Sequence, residues 1–332
     1  MSTSARLSVV HETEYTYAHP VEMAQHVACL RPLSDASQRL MQFEMTVSPE
    51  PAQHSTRIDA FGNSRAFFSL TAPHKTLLVA ARSEVEVWPR HAQVDLSQSD
   101  SVAEVVKQLT YRAKAPFVPA SEFAYTSPYV PLHQELRDYA RASLDPSRPL
   151  AEAVVDLMQR VHKDFRYAPL TTDISTPILE VFEKRQGVCQ DFAHLMLGCL
   201  RASGIAARYV SGYLLTHPPA GQARLVGADA SHAWLSVWCP GLDDERAGAW
   251  LDLDPATGAL QNTREVDFRW PTIPSHLMRT SDGNFLAGGS FTNIVAGVLS
   301  IPLGGAPQRY WEMDITSTVQ EWVDGVRPNH GL

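Results

Sequence analysis

The stretch that decides the fold is GVCQDFAHLMLGCLRASG, residues 187–204 of a chain of 332 residues. Its apolar side chains recur at the spacing of one face of an amphipathic helix, which comprises Phe192, Leu195, Met196, Cys199 and Leu200. Gly204 is typical of the position just beyond a helix C-terminus. The pattern therefore predicts a helix that begins at Cys189 and ends before Gly204.

Cys189 occupies a position that suits a nucleophile. Unpaired backbone N–H groups and the positive end of the helix dipole stabilise a thiolate at a helix start. The alternative is that Cys189 is a small buried hydrophobe, which is the usual role of a lone cysteine. Cys199 fits that alternative well, since it lies on the apolar face of the same helix.

His232 is the candidate base for this thiol. A thiol nucleophile needs a base within hydrogen-bond reach, and that base needs a third group to fix its tautomer. His232 opens the run HAWLSVW, residues 232–238, in which apolar residues alternate as they do in a strand. The alternative for any one of the 13 histidines is a solvated or structural ring.

Asp252 and Asp254 are the candidates for the third group. They share one face of the predicted strand WLDLDP, residues 250–255. If this strand pairs antiparallel with the His232 strand through a hairpin, one of the two carboxylates meets the imidazole. We favour Asp254, because Pro255 ends the ladder pairing beside it, and we expect Asp252 to be an exposed strand residue.

His194 and Asp191 lie on the same helix as Cys189. His194 is five residues further on, so its side chain points about 140° away around the helix axis. This predicts that it packs or supports the site rather than acting as the base. Asp191 lies in the first helical turn, where the helix dipole favours a carboxylate.

The amino-terminal part of the sequence is rich in strand patterns. Alternating runs separated by turn residues occupy residues 7–17, 42–47, 65–70, 77–81 and 83–88. Residues 1–95 are therefore predicted to form an all-β sandwich domain, joined to the rest by a polar linker at residues 94–101. Helical patterns followed by strand patterns fill residues 96–332, which predicts an α+β domain.

Composition excludes several classes of function. With 28 Lys and Arg against 36 Asp and Glu, the net charge is −8, so no nucleic-acid or anionic-membrane partner is expected. The four cysteines are dispersed without a C-x-x-C pair, which disfavours a disulfide scaffold or zinc ribbon. Residues 1–17 lack the pattern of a secretory signal, which predicts a cytoplasmic location.

Residues 283–307 form the one segment that resembles a membrane span, because they carry no charged residue. Their apolar part covers only residues 294–303, about half of the length that a bilayer helix needs. The pattern favours a buried strand.

Motifs for metals and cofactors are missing from the sequence. It contains no H-E-x-x-H, no glycine-rich phosphate loop and no EF-hand spacing, so we expect no cofactor and no bound metal. The acidic turn at residues 243–245 is a weak candidate for calcium, but a solvated hairpin loop is favoured.

These motifs resemble those of the bacterial transglutaminase-like proteins, a family also described as cysteine proteases. Its core carries a G-x-C-x-D-F-A-H helix start, a D-x-S-H-A-W strand and a W-x-x-x-D-P segment, which match residues 187–194, 229–234 and 250–255. The amino-terminal region is similar to that family's β-sandwich domain, with landmarks at residues 15–17, 30–32 and 59–63. The resemblance covers residues 5 to about 260, and the chain departs from the family pattern after Gly258.

The resemblance implies an α+β fold with a papain-like or transglutaminase-like core, preceded by an all-β sandwich. It implies a triad of Cys189, His232 and Asp254 that transfers an acyl group from an amide or peptide bond through a thioester. The substrate would be a peptide, a protein or a small amide, and the outcome hydrolysis or transfer to an amine acceptor. We expect the oxyanion to meet the backbone N–H of Cys189 and a second donor, for which Tyr167 is the candidate, with Asp191 in support.

Hydrolysis or amide exchange is favoured over protein cross-linking, because water is abundant and no pattern marks a protein-sized acceptor site. A different class of function is a non-catalytic binding or scaffold protein that retains the fold, since a fold alone does not imply an activity. Loss of triad residues would favour that alternative, and all three are present. The sequence carries no signal for the oligomeric state.

Overall fold

The computed structural model describes the chain in nine stretches: residues 4–59, 61–91, 93–169, 171–172, 176–214, 231–242, 249–260, 267–273 and 295–299. Within them the helices are α1 Val102–Leu109, α2 Gln134–Ala140, α3 Leu150–Asp164, α4 Ile178–Lys184 and α5 Cys189–Ala202. The strands are β1 Ala5–Val21, β2 Ala24–Ala28, β3 Gln38–Ser48, β4 Gln53–Ile58, β5 Ser64–Leu70, β6 His74–Val87, β7 Arg166–Tyr167, β8 Gln186–Gly187, β9 Ala207–Leu214, β10 Ser231–Trp238, β11 Trp250–Asp254, β12 Ala259–Leu260, β13 Asp267–Ile273 and β14 Val295–Leu299. The fold is α+β, as predicted: a strand-rich amino-terminal region precedes a core of helices and antiparallel strands.

Two antiparallel sheets make up the amino-terminal region, in the strand orders β1-β6-β3 and β14-β2-β5-β4. The two runs predicted at residues 77–81 and 83–88 are wrong as separate strands, because β6 is continuous. The side chain of Arg82 between them is exposed, while its backbone pairs with Val10 on one side and Glu44 on the other. An arginine on the outer face thus leaves the ladder intact.

The core sheet has the strand order β12-β11-β10-β9-β13, and α5 packs against β9 and β10. Helix α5 begins at Cys189, and Gly204 follows its end with a φ of 78°, so both predicted boundaries are confirmed. Its residues from Cys189 to Arg201 are all buried, which makes it the central helix of the core. The sheet and this helix together position the candidate site.

Strand β14 pairs with β2, so the carboxy-terminal segment returns to an amino-terminal sheet. This confirms a strand within residues 283–307, of which only residues 295–299 are described. In the described ranges, none of the helices is long and apolar enough to cross a membrane. The domain boundary at residue 95 stays a prediction.

Candidate active site

Cys189 stands at the first position of α5 and is 5% exposed. The short strand β8 precedes it and pairs in parallel with β7, which sets Tyr167 beside Gly187. A Cβ at position 187 would lie 2.7 Å from Oδ2 of Asp191, so this position requires a glycine. The G-x-C-x-D motif is thus a helix start at which the aspartate folds back over the glycine.

Asp191 caps the start of α5. Its Oδ2 accepts hydrogen bonds from the backbone N–H of Val188 at 2.8 Å and from Oγ1 of Thr172 at 2.6 Å. A carboxylate here satisfies a backbone donor and interacts favourably with the helix dipole. Asp191 therefore orders the segment that carries the thiol.

His232 connects the thiol with a carboxylate. It lies on β10 opposite Gly212 of β9, and its ring interacts electrostatically with the side chain of Cys189. Its Nε2 lies 2.7 Å from Oδ2 of Asp254. Burial lowers the pKa of His232, but the charges and hydrogen bonds of Cys189 and Asp254 outweigh burial and raise it well above the usual 6.5. These interactions favour the imidazolium form of the ring.

Asp254 is fully buried and is held by a tight turn. Its Oδ1 accepts the backbone N–H of Ala256 at 2.9 Å, and its Oδ2 accepts the hydroxyl of Thr257 at 2.8 Å. Burial raises the pKa of this carboxyl, but the charge and hydrogen bond of His232 and the donors of the turn lower it below the usual 3.8. The predicted antiparallel pairing of β10 with β11, and the predicted contact of Asp254 with His232, are confirmed.

Helix α3 holds that turn in place. Nδ1 of His162 lies 3.1 Å from the carbonyl oxygen of Ala256, and the side-chain amide of Gln159 donates to the carbonyl of Gly258. Gly258 has a φ of 71°, and a Cβ there would lie 2.9 Å from the His162 ring. The end of the D-P-A-T-G segment is therefore restricted to glycine both by backbone conformation and by space.

The expectation that Asp252 is an exposed strand residue is wrong. Its side chain is 2% exposed and forms a buried ion pair with Arg90. Its backbone N–H also donates to Nε2 of His91 at 3.2 Å. The segment that follows β6 covers this part of β11, and no local pattern near Asp252 signals a partner 161 positions away.

His194 lies among aromatic rings, in agreement with the packing role predicted for it. The centroid of its ring is 6.1 Å from that of Tyr129 and 5.0 Å from that of Tyr209. Burial, followed by the charge of Arg201, lowers the pKa of His194 to about 3. A ring that stays neutral in the core is a poor candidate for the imidazolium that a thiolate requires.

Tyr167 is 51% exposed, and its ring packs edge-on against Phe192 at 6.3 Å between centroids. This places it alongside the first turn of α5, near the thiol-bearing segment. Its role as an oxyanion donor stays a prediction.

The residues that hold the carboxylates of Asp191 and Asp254 were not predicted from the sequence. Thr257 follows Asp254 by three positions, a spacing typical of a turn closed by an aspartate side chain, and that signal was available. Thr172 and His162 gave no such signal, because each reaches the site from a distant part of the chain.

In the described ranges, no group of three or more His, Cys, Asp or Glu side chains is arranged to hold a metal ion. The acidic turn at residues 243–245, the calcium candidate, lies outside those ranges. So do residues 229–230, which open the D-x-S-H-A-W motif.

Two family models match the chain. The bacterial transglutaminase-like N-terminal region matches residues 7–86, and the transglutaminase-like superfamily matches residues 137–255. The second match contains Cys189, His232 and Asp254.

Similar proteins occur in several bacteria. An uncharacterised protein of Mycobacterium tuberculosis is 39% identical over 268 residues, which span 80% of this chain and 83% of the relative. An uncharacterised protein of Mycobacterium leprae is 32% identical over 257 residues, 75% of this chain and 82% of the relative. A protein-glutamine gamma-glutamyltransferase of Pseudomonas aeruginosa is 31% identical over 134 residues, which span 38% of this chain and 19% of that protein.

A solved structure shares the fold over nearly the whole chain. A candidate cysteine protease from Cytophaga hutchinsonii superposes with a TM-score of 0.60 at 15% identity, covering 95% of this chain and 97% of the other. The two family models agree with this fold, and the mycobacterial relatives match the chain over most of its length. The chain belongs to the bacterial transglutaminase-like family.

Proposed function

We propose that this protein is a cysteine-dependent acyltransferase or amidase, in which Cys189, His232 and Asp254 form the catalytic triad. The observation that carries the proposal is the buried imidazole of His232, which hydrogen-bonds a buried carboxylate and interacts with a thiol at a helix start. A nucleophile, a base and an orienting group in this arrangement recur on unrelated folds and are recognised by their geometry. The Pseudomonas relative, named as a protein-glutamine gamma-glutamyltransferase, supports acyl transfer as the reaction class.

In the first half-reaction, the thiolate of Cys189 attacks the carbonyl carbon of an amide and forms a tetrahedral intermediate. Collapse of this intermediate breaks the C–N bond and leaves a thioester on the sulfur. His232, protonated beforehand, gives its proton to the departing amine. Asp254 holds the ring through Nε2, which leaves Nδ1 as the nitrogen for the thiol.

In the second half-reaction, water or an amine attacks the thioester carbonyl. The neutral His232 takes a proton from the attacking group, and the sulfur leaves as a thiolate beside the restored imidazolium. Water yields a carboxylic acid, whereas an amine yields a new amide. Both outcomes use the same three side chains.

Backbone donors stabilise the oxyanion in this proposal. The N–H of Cys189 is one of the unpaired donors at the start of α5, where the helix dipole favours negative charge. Tyr167, which lies in β7 beside Gly187, is the proposed second donor. Removing one oxyanion donor costs about a hundredfold to a thousandfold in kcat in a bacterial serine protease.

We favour hydrolysis or amide exchange on a peptide or small amide. Water is always present at high concentration, and no sequence pattern marks a site for a protein-sized amine acceptor. An amine-incorporation assay run beside an amide-hydrolysis assay distinguishes the two outcomes.

The test is a comparison of two cysteines on α5. Cys189→Ala should abolish amide hydrolysis and amine incorporation with an unchanged circular dichroism spectrum. Cys199→Ala is the matched control, because Cys199 is fully buried in the same helix and burial raises its pKa to about 12. Activity that survives Cys189→Ala but is lost in a folded Cys199→Ala variant would overturn the assignment and favour a non-catalytic role for Cys189.

A further inference from the structure

Arg90 and His91 lie on the segment that leaves the amino-terminal region after β6. Their side chains are 0% and 1% exposed, although an arginine and a histidine are usually solvated. The backbone of His91 has a φ of 58°, in the left-handed region that non-glycine residues seldom occupy. Such a conformation persists only where the surrounding structure holds it.

Both residues contact Asp252 on β11. Arg90 forms an ion pair with its carboxylate, and Nε2 of His91 accepts its backbone N–H at 3.2 Å. Across the sheet, β10 pairs with Asp252 through Ser236, while the two-residue strand β12 pairs only with the positions after Asp252. The imidazole of His91 therefore accepts a backbone N–H of β11 at the position next to those that pair with β12.

A second contact from the amino-terminal region is made with β9, the strand that lies on the other side of β10 from β11. Oη of Tyr213, on β9, lies 2.6 Å from Nδ1 of His11, and both side chains are buried. Tyr213 follows Gly212, the residue that pairs with His232. The strands on both sides of β10 are thus each held by a polar side chain of the amino-terminal region or of the segment that leaves it.

We propose that Arg90 and His91 are positioning residues, which fix β11 so that Asp254, two residues after Asp252, meets His232. This inference rests on the function proposed above. A displacement of about 1 Å at a reacting centre is enough to cost roughly a hundredfold in rate. Anchoring at Asp252 restricts such displacement without any contact between Arg90 and the reacting atoms.

Alkylation of Cys189 by iodoacetamide tests the inference, because it needs no substrate. The extent of reaction is followed by peptide mass spectrometry between pH 6 and pH 8.5. If His232 is aligned with the thiol, the wild-type rate should be nearly flat over this range. Asp252→Asn should slow the reaction about tenfold at pH 6 and make the rate rise steeply with pH.

A double variant separates positioning from stability. Arg90→Met combined with Asp252→Asn removes the buried charge that the single variant leaves without its counter-ion, so it should recover most of the melting temperature. The inference expects its alkylation profile to remain steep. A double variant that regains both the melting temperature and the flat profile would show that the ion pair only stabilises the fold.

His91 provides a second pair of variants. His91→Gln keeps a hydrogen-bond acceptor and should retain the flat profile, whereas His91→Leu fills a similar volume without an acceptor and should give a steep one. Arg39→Gln is the control, because it removes an ion pair with Glu86 on the surface of the amino-terminal sheet. Equal profiles for the Gln and Leu variants of His91 would remove His91 from the proposal.

The outcomes also distinguish this inference from the proposed function. A wild-type profile that already rises steeply with pH would count against the pairing of Cys189 with His232, and so against the proposed function itself. A flat wild-type profile that stays flat in the double variant would overturn the positioning inference alone.

Discussion

Strand β11 carries two buried ion pairs two residues apart, and they differ in whether the cation can release its proton. Asp254 faces His232, whose ring exchanges a proton in the range where enzymes work. Asp252 faces Arg90, whose guanidinium remains protonated throughout that range. The first pair is suited to proton transfer, and the second is suited only to holding the strand.

The surroundings of the two carboxylates differ in the same way. Asp254 accepts hydrogen bonds from its own turn and lies next to the ring that contacts Cys189. Asp252 is contacted by Arg90 and His91, which lie on the segment after β6. Burial alone therefore does not mark a carboxylate as a catalytic candidate, whereas an ionisable partner beside a nucleophile does.

The largest effect is expected at Asp254. Asp254→Asn keeps the shape of the side chain but removes the charge that orients and stabilises the imidazolium. The equivalent change in serine proteases lowers kcat about ten-thousandfold, and we expect a loss of that order with a change in Tm of only a few degrees. Steady-state rates on a substrate found by amide screening measure it. A smaller loss in kcat than that of Asp252→Asn would reverse the two roles.

Asp252→Asn is expected to act mainly on stability. It removes the carboxylate that pairs with the buried guanidinium of Arg90, and breaking a buried ion pair typically costs about 3–5 kcal/mol. Urea unfolding followed by tryptophan fluorescence measures the change, and kcat of the folded fraction should stay within roughly tenfold of wild type. The surface pair of Arg39 and Glu86 is the reference, for which Arg39→Gln should lower the free energy of unfolding far less. Equal losses in the free energy of unfolding at the two sites would show that the buried pair stabilises the fold no more than the surface pair does.

The pH dependence of stability should also separate the two pairs. The folded state binds the proton of His232 more tightly than the unfolded state does, because the pKa of His232 is raised well above 6.5. The resulting stabilisation is fully present below pH 6.5 and is lost as the pH rises through the raised pKa, at up to about 1.4 kcal/mol per pH unit. Asp254→Asn should move this alkaline loss to lower pH, whereas Asp252→Asn, which displaces the pair without removing its carboxylate, should move it less. Thermal melts between pH 6 and pH 10 measure both, and identical shifts would contradict the comparison.

The three proposed triad residues could be predicted from the sequence because their signals are local. Cys189 begins a helical pattern, and His232 begins a strand pattern. The alternation along β11 puts the carboxylate of Asp254 on the face of the strand opposite to its leucines. The pairing of β10 with β9 and β11 then brings the side chains of His232 and Asp254 together.

The supporting residues that come from distant segments could not be predicted, because their own surroundings give no pattern. No pattern in the sequence singled out His91, yet its ring is buried against Asp252. Strand β4 was missed for a related reason, since all six of its side chains are exposed and no apolar alternation marks it. Both cases show tertiary contacts that override a local pattern.

The contacts that brace the two strands beside His232 have a consequence for the order of folding. His11 and Tyr213 are 202 positions apart, and His91 and Asp252 are 161 apart. Contacts between such distant residues close large loops, which slows their formation relative to local helices and hairpins. During synthesis, α5 and its cysteine emerge well before β11. We therefore expect the thiol to spend the early life of the chain without its imidazole and carboxylate partners, and to gain its reactivity as one of the last events of folding.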